Sequence, residues 1–142
     1  MRRACVLECS MAYRSAFPML VCDDLARSLA FYRDALGFVV TYRFPAEGDA
    51  AYVAVELPDG SKLGLGQVAP DGKGVHGRPQ RPVSGHGFEL CVYHDDVDAA
   101  VAELAGLGHP VLLPPADTPW GERMAFVADP DGNPVMVTAQ PG

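Results

Sequence analysis

The sequence predicts an α+β fold built from two tandem copies of one β-α-β-β-β unit. Two separated motifs recur at one spacing. Asp24-Leu25 returns as Asp96-Val97, and Pro58-Asp59-Gly60 returns as Pro130-Asp131-Gly132, each 72 residues later (96 − 24 = 130 − 58 = 72). The same offset relates two apolar pairs: Leu63 with Val135, and Leu65 with Val137. One constant offset without a gap indicates a duplicated unit.

Each copy begins with a strand and a helix. The short apolar segments 17–22 and 88–93 predict the two first strands. Asp23-Asp24 and Asp95-Asp96 follow them, and a carboxylate there accepts hydrogen bonds from the free N–H groups at a helix start. Apolar residues then recur at helical spacing: Leu25, Leu29, Tyr32 and Leu36 in the first copy, and Val97, Val101, Leu104 and Leu107 in the second.

Three further strands complete each copy. Gly37 and Gly108 end the helices, because glycine readily adopts the left-handed conformation found after the last helical turn. The predicted strands are residues 39–44, 51–57 and 62–67, and residues 111–114, 123–128 and 134–139. Asp59-Gly60 and Asp131-Gly132 predict tight hairpin turns between the last two strands of each copy.

The chain divides into a short extension and one domain. Residues 1–14 are the predicted N-terminal extension, and residues 15–142 are a single domain with modules at about 16–68 and 86–139. The linker between them, residues 69–85, is rich in Gly and Pro and holds Lys73, His76, Arg78 and Arg81. A solvated connector is the favoured interpretation, and a flap over a binding site is the alternative.

Composition excludes several classes of protein. The chain has 142 residues, of which 49% are apolar and 20% charged, as in an ordinary globular domain. A net charge of −7 argues against nucleic acid or an acidic membrane as partner. It would attract a cationic small molecule, although the charge taken alone favours a role in solubility. Without a membrane-spanning run or a signal-peptide pattern, we expect a cytoplasmic location.

The cysteines predict neither a disulfide framework nor a zinc site. Cys5, Cys9, Cys22 and Cys91 include no CxxC pair. We expect reduced thiols, with Cys22 and Cys91 packed in strands as small apolar side chains.

Several motifs resemble the vicinal oxygen chelate superfamily, which includes glyoxalases, bleomycin-resistance proteins and dioxygenases. They are Asp24-Leu25-Ala26-Arg27-Ser28, Phe31-Tyr32, Leu36-Gly37-Phe38, residues 95–100, Pro119-Trp120-Gly121-Glu122-Arg123 and residues 129–134. The resemblance covers about residues 16–139 and is specific for the fold, since this superfamily hosts many functions. It implies a cup-shaped open barrel whose inner face binds a metal, a ligand or both, and a homodimer with its pocket near or across the subunit boundary.

The resemblance also implies four inward positions where enzymes of the family place metal ligands. Here these positions hold Phe17, Gly64, Glu89 and Met136, and 89 − 17 = 136 − 64 = 72. Only Glu89 offers a ligand for a hard divalent cation, whereas catalytic sites need about three. We therefore predict no metal and no cofactor. The histidines, His76, His86, His94 and His109, fall at other positions, and no known catalytic motif identifies a catalytic residue.

The same face instead predicts a ligand-binding wall. Strand alternation places Phe17, Met19 and Val21 together, and likewise Glu89, Cys91 and Tyr93. Gly64 and Met136 belong to the predicted wall, and Trp120 resembles the aromatic residue that drug-binding relatives stack on flat rings. The alternatives are ordinary packing for the strand residues and a plug at the barrel mouth for Trp120. A buried Glu89 would need an arginine, water or ligand as partner.

Three hypotheses for function follow. The favoured one is a metal-free, non-catalytic protein that sequesters an aromatic, cationic natural product or antibiotic in a dimer pocket. The second is a metal-dependent isomerase, lyase or dioxygenase of the same superfamily. The third is a structural or chaperone-like accessory domain.

Overall fold

The computed structural model describes residues 15, 17–77, 79–82 and 89–139. The predicted extension at 1–14, with Cys5 and Cys9, lies outside the described residues, as do His86 and the predicted strand residue Phe88. Among the described residues, no helix is long and apolar enough to cross a membrane.

Eight strands form two four-stranded sheets. The first contains β1 (Met19–Cys22), β2 (Val39–Phe44), β3 (Tyr52–Glu56) and β4 (Lys62–Gln67), in the order β1-β4-β3-β2. The second contains β5 (Leu90–Tyr93), β6 (Val111–Asp117), β7 (Arg123–Ala128) and β8 (Pro134–Ala139), in the order β5-β8-β7-β6. In each sheet the first and last strands of the unit pair in parallel, and the other pairs are antiparallel. This confirms the predicted α+β fold of two units, with sheets that stay open and do not close into a barrel.

Strand register repeats the offset read from the sequence. Met19 pairs with Gly64 in the first sheet, and Cys91 pairs with Met136 in the second. Both partners are shifted by 72 residues, since 91 − 19 = 136 − 64 = 72. The two copies are therefore equivalent at the level of individual strand pairs.

The first helix changes its winding halfway along. Asp24 caps α1 (Leu25–Leu29), its carboxylate accepting from the Ala26 N–H at 3.0 Å. The chain then continues as a π-helical segment, Ala30–Ala35. The wider turn buries the consecutive residues Phe31 and Tyr32 completely, whereas a regular α-helix separates neighbours by about 100°. The spacing rule predicted Tyr32 but missed Phe31 for this reason.

The second helix follows its predicted pattern except at the end. α2 (Val97–Gly106) buries Val97, Val101 and Leu104. Leu107 was predicted on the same face but is 59% exposed, because it caps the helix after the last turn.

Sheet boundaries differ modestly from the prediction. β6 extends to Asp117 through two prolines, where the sequence predicted an end at 114. Proline is compatible with an edge strand, and irregular register between Leu113 and Ala116 accommodates it.

Helix-bearing faces of the two sheets share one hydrophobic core. The buried residues of this core are Leu20, Cys22, Leu25, Phe31, Tyr32, Phe38, Val53, Val55, Leu63, Leu65, Val97, Ala100, Val101, Leu104, Ala125, Val127, Val135 and Val137. We call the opposite face of each sheet its open face. Because strands alternate, the open faces hold the strand residues of the predicted wall: Met19, Val21, Gly64, Cys91, Tyr93 and Met136.

A buried carboxylate joins the two units. The Tyr32 hydroxyl donates to Asp129 Oδ2 at 2.8 Å, and the Asn133 side-chain amide donates to the same oxygen at 2.8 Å. Asp129 Oδ1 accepts from the backbone N–H groups of Asn133 at 2.7 Å and Asp131 at 3.0 Å. Burial, with Asp129 beside it, raises the pKa of Tyr32, so the hydroxyl stays protonated and remains a donor.

Removing this hydroxyl should weaken the fold. Tyr32→Phe leaves Asp129 with one donor fewer in a buried place, and we expect a loss of about 1–3 kcal/mol in the free energy of unfolding. Urea denaturation followed by circular dichroism measures it. Tyr42→Phe is the matched control, since Tyr42 is 56% exposed and its loss should stay within about 0.5 kcal/mol. Equal losses for both variants would contradict the role assigned to Tyr32.

Candidate functional site

Two glycines create space on the open face of the first sheet. A Cβ atom at Gly64 would lie 2.7 Å from the Tyr52 hydroxyl oxygen and 3.0 Å from Met19 Cγ. A Cβ atom at Gly66 would lie 3.0 Å from Met19 Sδ. Met19 and Tyr52 therefore lie over a floor of bare backbone, and we call these four residues the glycine floor.

Aromatic side chains extend this surface. The rings of Tyr42 and Tyr52 have centroids 6.2 Å apart and are tilted by 55°. Burial, with Tyr42 as a second cause, raises the pKa of Tyr52, so its hydroxyl remains protonated at neutral pH. Sequence reasoning named Met19 and Gly64 but missed Tyr42 and Tyr52. The detectable signal was a pair of glycines two residues apart in a strand, which marks close approach of other groups.

Two charged side chains, Glu56 of β3 and Lys62 of β4, lie opposite each other on the same face. Lys62 Nζ is 4.6 Å from the centroid of the Phe17 ring, within the range of a cation–π contact. Thr41 donates to the Glu56 carboxylate at 3.1 Å. The predicted wall residue Val21 is buried on this strand, opposite Gly66.

The open face of the second sheet has side chains where the first has glycines. Cys91 lies opposite Met136, and Phe126 is the other neighbour of Met136. Cys91 is exposed, so the prediction of a buried, packed thiol was wrong for this residue. The reason is that Cys91 is on the open face, whereas Cys22 is in the core, where burial raises the pKa of its thiol to about 11.

Glu89 is exposed. Its carboxylate is therefore solvated and needs no arginine or ligand to offset a desolvation penalty. Tyr93 is 62% exposed. Cys91 and Tyr93 line a cavity of about 360 Å³ together with residues of the first sheet, among them Pro18 and Lys62. The structure thus brings part of the predicted wall together at the boundary between the two sheets.

Trp120 lies in the loop between β6 and β7. It is 64% exposed, and its indole N–H donates to Glu122 at 2.9 Å. Its ring therefore lies at the surface, with the indole nitrogen held by Glu122. Arg123, three residues after Trp120, forms ion pairs at 3.1 Å with Asp98 and with Asp117.

Two of the histidines make defined contacts. His109 is half-buried, and its ring is edge-on to Phe31 with centroids 4.9 Å apart. His94 Nδ1 accepts from the Asp96 backbone N–H at 2.9 Å. Its Nε2 is consequently the protonated nitrogen of the neutral ring.

The residues on the open faces do not fit a hard divalent metal. Of the four positions that the family resemblance assigns to ligands, only Glu89 has an oxygen donor, and the space above Gly64 is taken by Tyr52 and Met19. Within the described ranges, no three His, Cys, Asp or Glu side chains are grouped to hold a metal ion.

Comparison with known sequences identifies relatives of this chain. The sequence model of the Glyoxalase/Bleomycin resistance protein/Dioxygenase superfamily matches residues 14–137. An uncharacterized protein of Mycobacterium bovis is 31% identical over 119 residues, covering 82% of this chain and 76% of that protein.

Solved structures with the same fold agree with this match. A member of the same superfamily from Sphaerobacter thermophilus superposes with a TM-score of 0.70 at 25% identity, covering 92% of this chain and 99% of that one. A lactoylglutathione lyase from Agrobacterium tumefaciens superposes with a TM-score of 0.66 at 24% identity, covering 90% and 95%. At that identity the second likeness concerns the fold alone.

The glycine floor should not tolerate a methyl group. Gly64→Ala forces Tyr52 and Met19 aside, and we expect it to lower the free energy of unfolding by about 1–3 kcal/mol. Gly106→Ala is the control with the opposite sign. Nothing lies within 4 Å of a Cβ there, and alanine in a helix gains up to about 1 kcal/mol over glycine. Chemical denaturation compares the two variants, and a neutral Gly64→Ala would contradict the packing described.

Proposed function

Because this chain belongs to the glyoxalase/bleomycin resistance protein/dioxygenase superfamily, we propose that it binds a small organic molecule on the open faces of its sheets without a metal ion. The glycine floor is the observation that supports this most. Gly64 stands at a position where enzymes of the family place a metal-binding side chain, and Met19 and Tyr52 cover it here. Methionine and tyrosine side chains suit flat, irregular organic molecules.

The proposed ligand is a partly aromatic, cationic natural product or antibiotic, which the protein sequesters. Exposed aromatic rings on or beside the open faces support the aromatic part: Phe17, Tyr42, Tyr93 and Trp120. The carboxylates of Glu56 and Glu89, within a chain of net charge −7, support the cationic part. The described residues that line the cavity of about 360 Å³ beside Cys91 include one carboxylate, Asp59, and one ammonium group, Lys62.

A second copy of the chain is proposed to complete the pocket. Large apolar side chains remain exposed on the outer strands β2 and β6: Val39, Tyr42, Phe44, Val111, Leu112 and Leu113. Monomeric proteins rarely leave contiguous apolar patches larger than a few hundred Å² uncovered. In this proposal, the open faces of two chains together enclose the ligand.

Metal content tests the first half of the proposal. After exposure of the purified protein to manganese, iron, nickel and zinc and removal of the excess, plasma mass spectrometry should find near-zero metal. The physical reason is the lack of a three-ligand set. One equivalent of metal per chain would contradict the proposal and would put a metal-dependent isomerase, lyase or dioxygenase first.

Ligand binding tests the second half. Aromatic cations are screened through the fluorescence of Trp120, which is the single tryptophan, and affinities are measured by calorimetry. Trp120→Ala should weaken binding at least about tenfold, through lost stacking and lost contact area. Leu107→Ala is the control, since it removes an exposed apolar side chain at the far end of α2. Unchanged affinity in Trp120→Ala would remove this residue from the site.

A further inference from the structure

A second cavity lies on the helix side of the boundary between the two units. Its volume is about 240 Å³. Its walls come from the end of the π-helical segment and the residues that follow it, from the residue after β3, and from β5, α2 and β8, so both units contribute. We call it the seam cavity. It is separate from the glycine floor and from Trp120, which are on or beside the open faces.

The interior of the seam cavity is apolar. Phe38, Leu104 and Val137 are buried residues of the shared core that turn part of their surface to the cavity. Ala35 and Ala100 leave room through their small side chains. A volume of this size fits one aromatic ring with a short chain, below the range of about 300–1,000 Å³ for drug-sized ligands.

Polar groups occur at the rim. His94, directly after β5, and Glu103 of α2 are both exposed and line the cavity. His94 Nδ1 is occupied by the Asp96 N–H, which leaves Nε2–H as a donor. Within the described part of the chain, Glu103 takes part in no ion pair. A carboxylate at the mouth of an apolar cavity, in a chain of net charge −7, favours a cation.

We propose that the seam cavity binds a small aromatic amine, with the ring between the two units and the ammonium group at Glu103. This inference does not depend on the open-face function. The cavity shares Phe38, Leu57, Val92 and Tyr93 with the cavity of about 360 Å³ beside Cys91. A ligand in the seam cavity therefore contacts these four side chains, which also line the neighbouring cavity. Because they come from both units, the ligand stabilises the contact between the units.

The test uses 2-phenylethylamine and its neutral counterpart 2-phenylethanol on the full chain. Calorimetry should show saturable binding of the amine and at least about threefold weaker binding of the alcohol. Backbone amide NMR shifts should change at Ala100, Leu104 and Val137. Shifts confined to Met19, Gly64 and their neighbours would overturn the seam site, as would the absence of saturation at millimolar concentration.

Two variants separate charge from shape. Glu103→Gln should weaken amine binding about threefold to fivefold and leave alcohol binding unchanged. Glu47→Gln is its control, because Glu47 is exposed and outside the cavity lining, yet changes the net charge equally. Ala35→Leu should fill the cavity and abolish binding of both compounds, with circular dichroism as the check on folding. Equal binding by wild type and Glu103→Gln would overturn the assignment, whether or not Ala35→Leu folds.

Discussion

The hydrogen bond between Tyr32 and Asp129 connects the two halves of this protein, and much of the remaining structure depends on it. It joins a helix of the first unit to a hairpin of the second, 97 residues apart in sequence. A buried carboxylate is tolerated only when its oxygens are satisfied, and here the Tyr32 hydroxyl, the Asn133 amide and two backbone N–H groups do so. The same contact joins the π-helical segment to the second unit.

The duplicated scaffold has diverged at the positions where function is expected. Asp129 occupies the place of Leu57 in the first copy, since 129 − 57 = 72, and only the second copy has the buried carboxylate. Both hairpins keep the backbone bond across the turn, from Leu57 N–H to Ser61 and from Asp129 N–H to Asn133, each at 2.8–2.9 Å. The two hairpins therefore share one backbone geometry. The hairpin at Leu57 connects two strands, whereas the hairpin at Asp129 also joins the two units.

The open faces diverge in the same manner. Gly64 and Met19 of the first sheet correspond to Met136 and Cys91 of the second. The first face is a shallow floor under Tyr52, and the second is filled by its own larger side chains. Three of the four positions that the family resemblance assigns to metal ligands have no oxygen or nitrogen donor in their side chains, namely Phe17, Gly64 and Met136.

Local pattern alone predicted the two units, the succession of strands and helix along each of them, and their turns. These features depend on contiguous residues or on a constant offset, and Gly37, Gly108 and both Asp-Gly turns have the predicted positive φ at glycine. Tertiary structure decided which residues meet: Tyr32 with Asp129, and Met19 and Tyr52 over Gly64. It also exposed Cys91 and buried Phe31. Sequence periodicity assigns a side chain to a face, but packing between distant segments determines what covers that face.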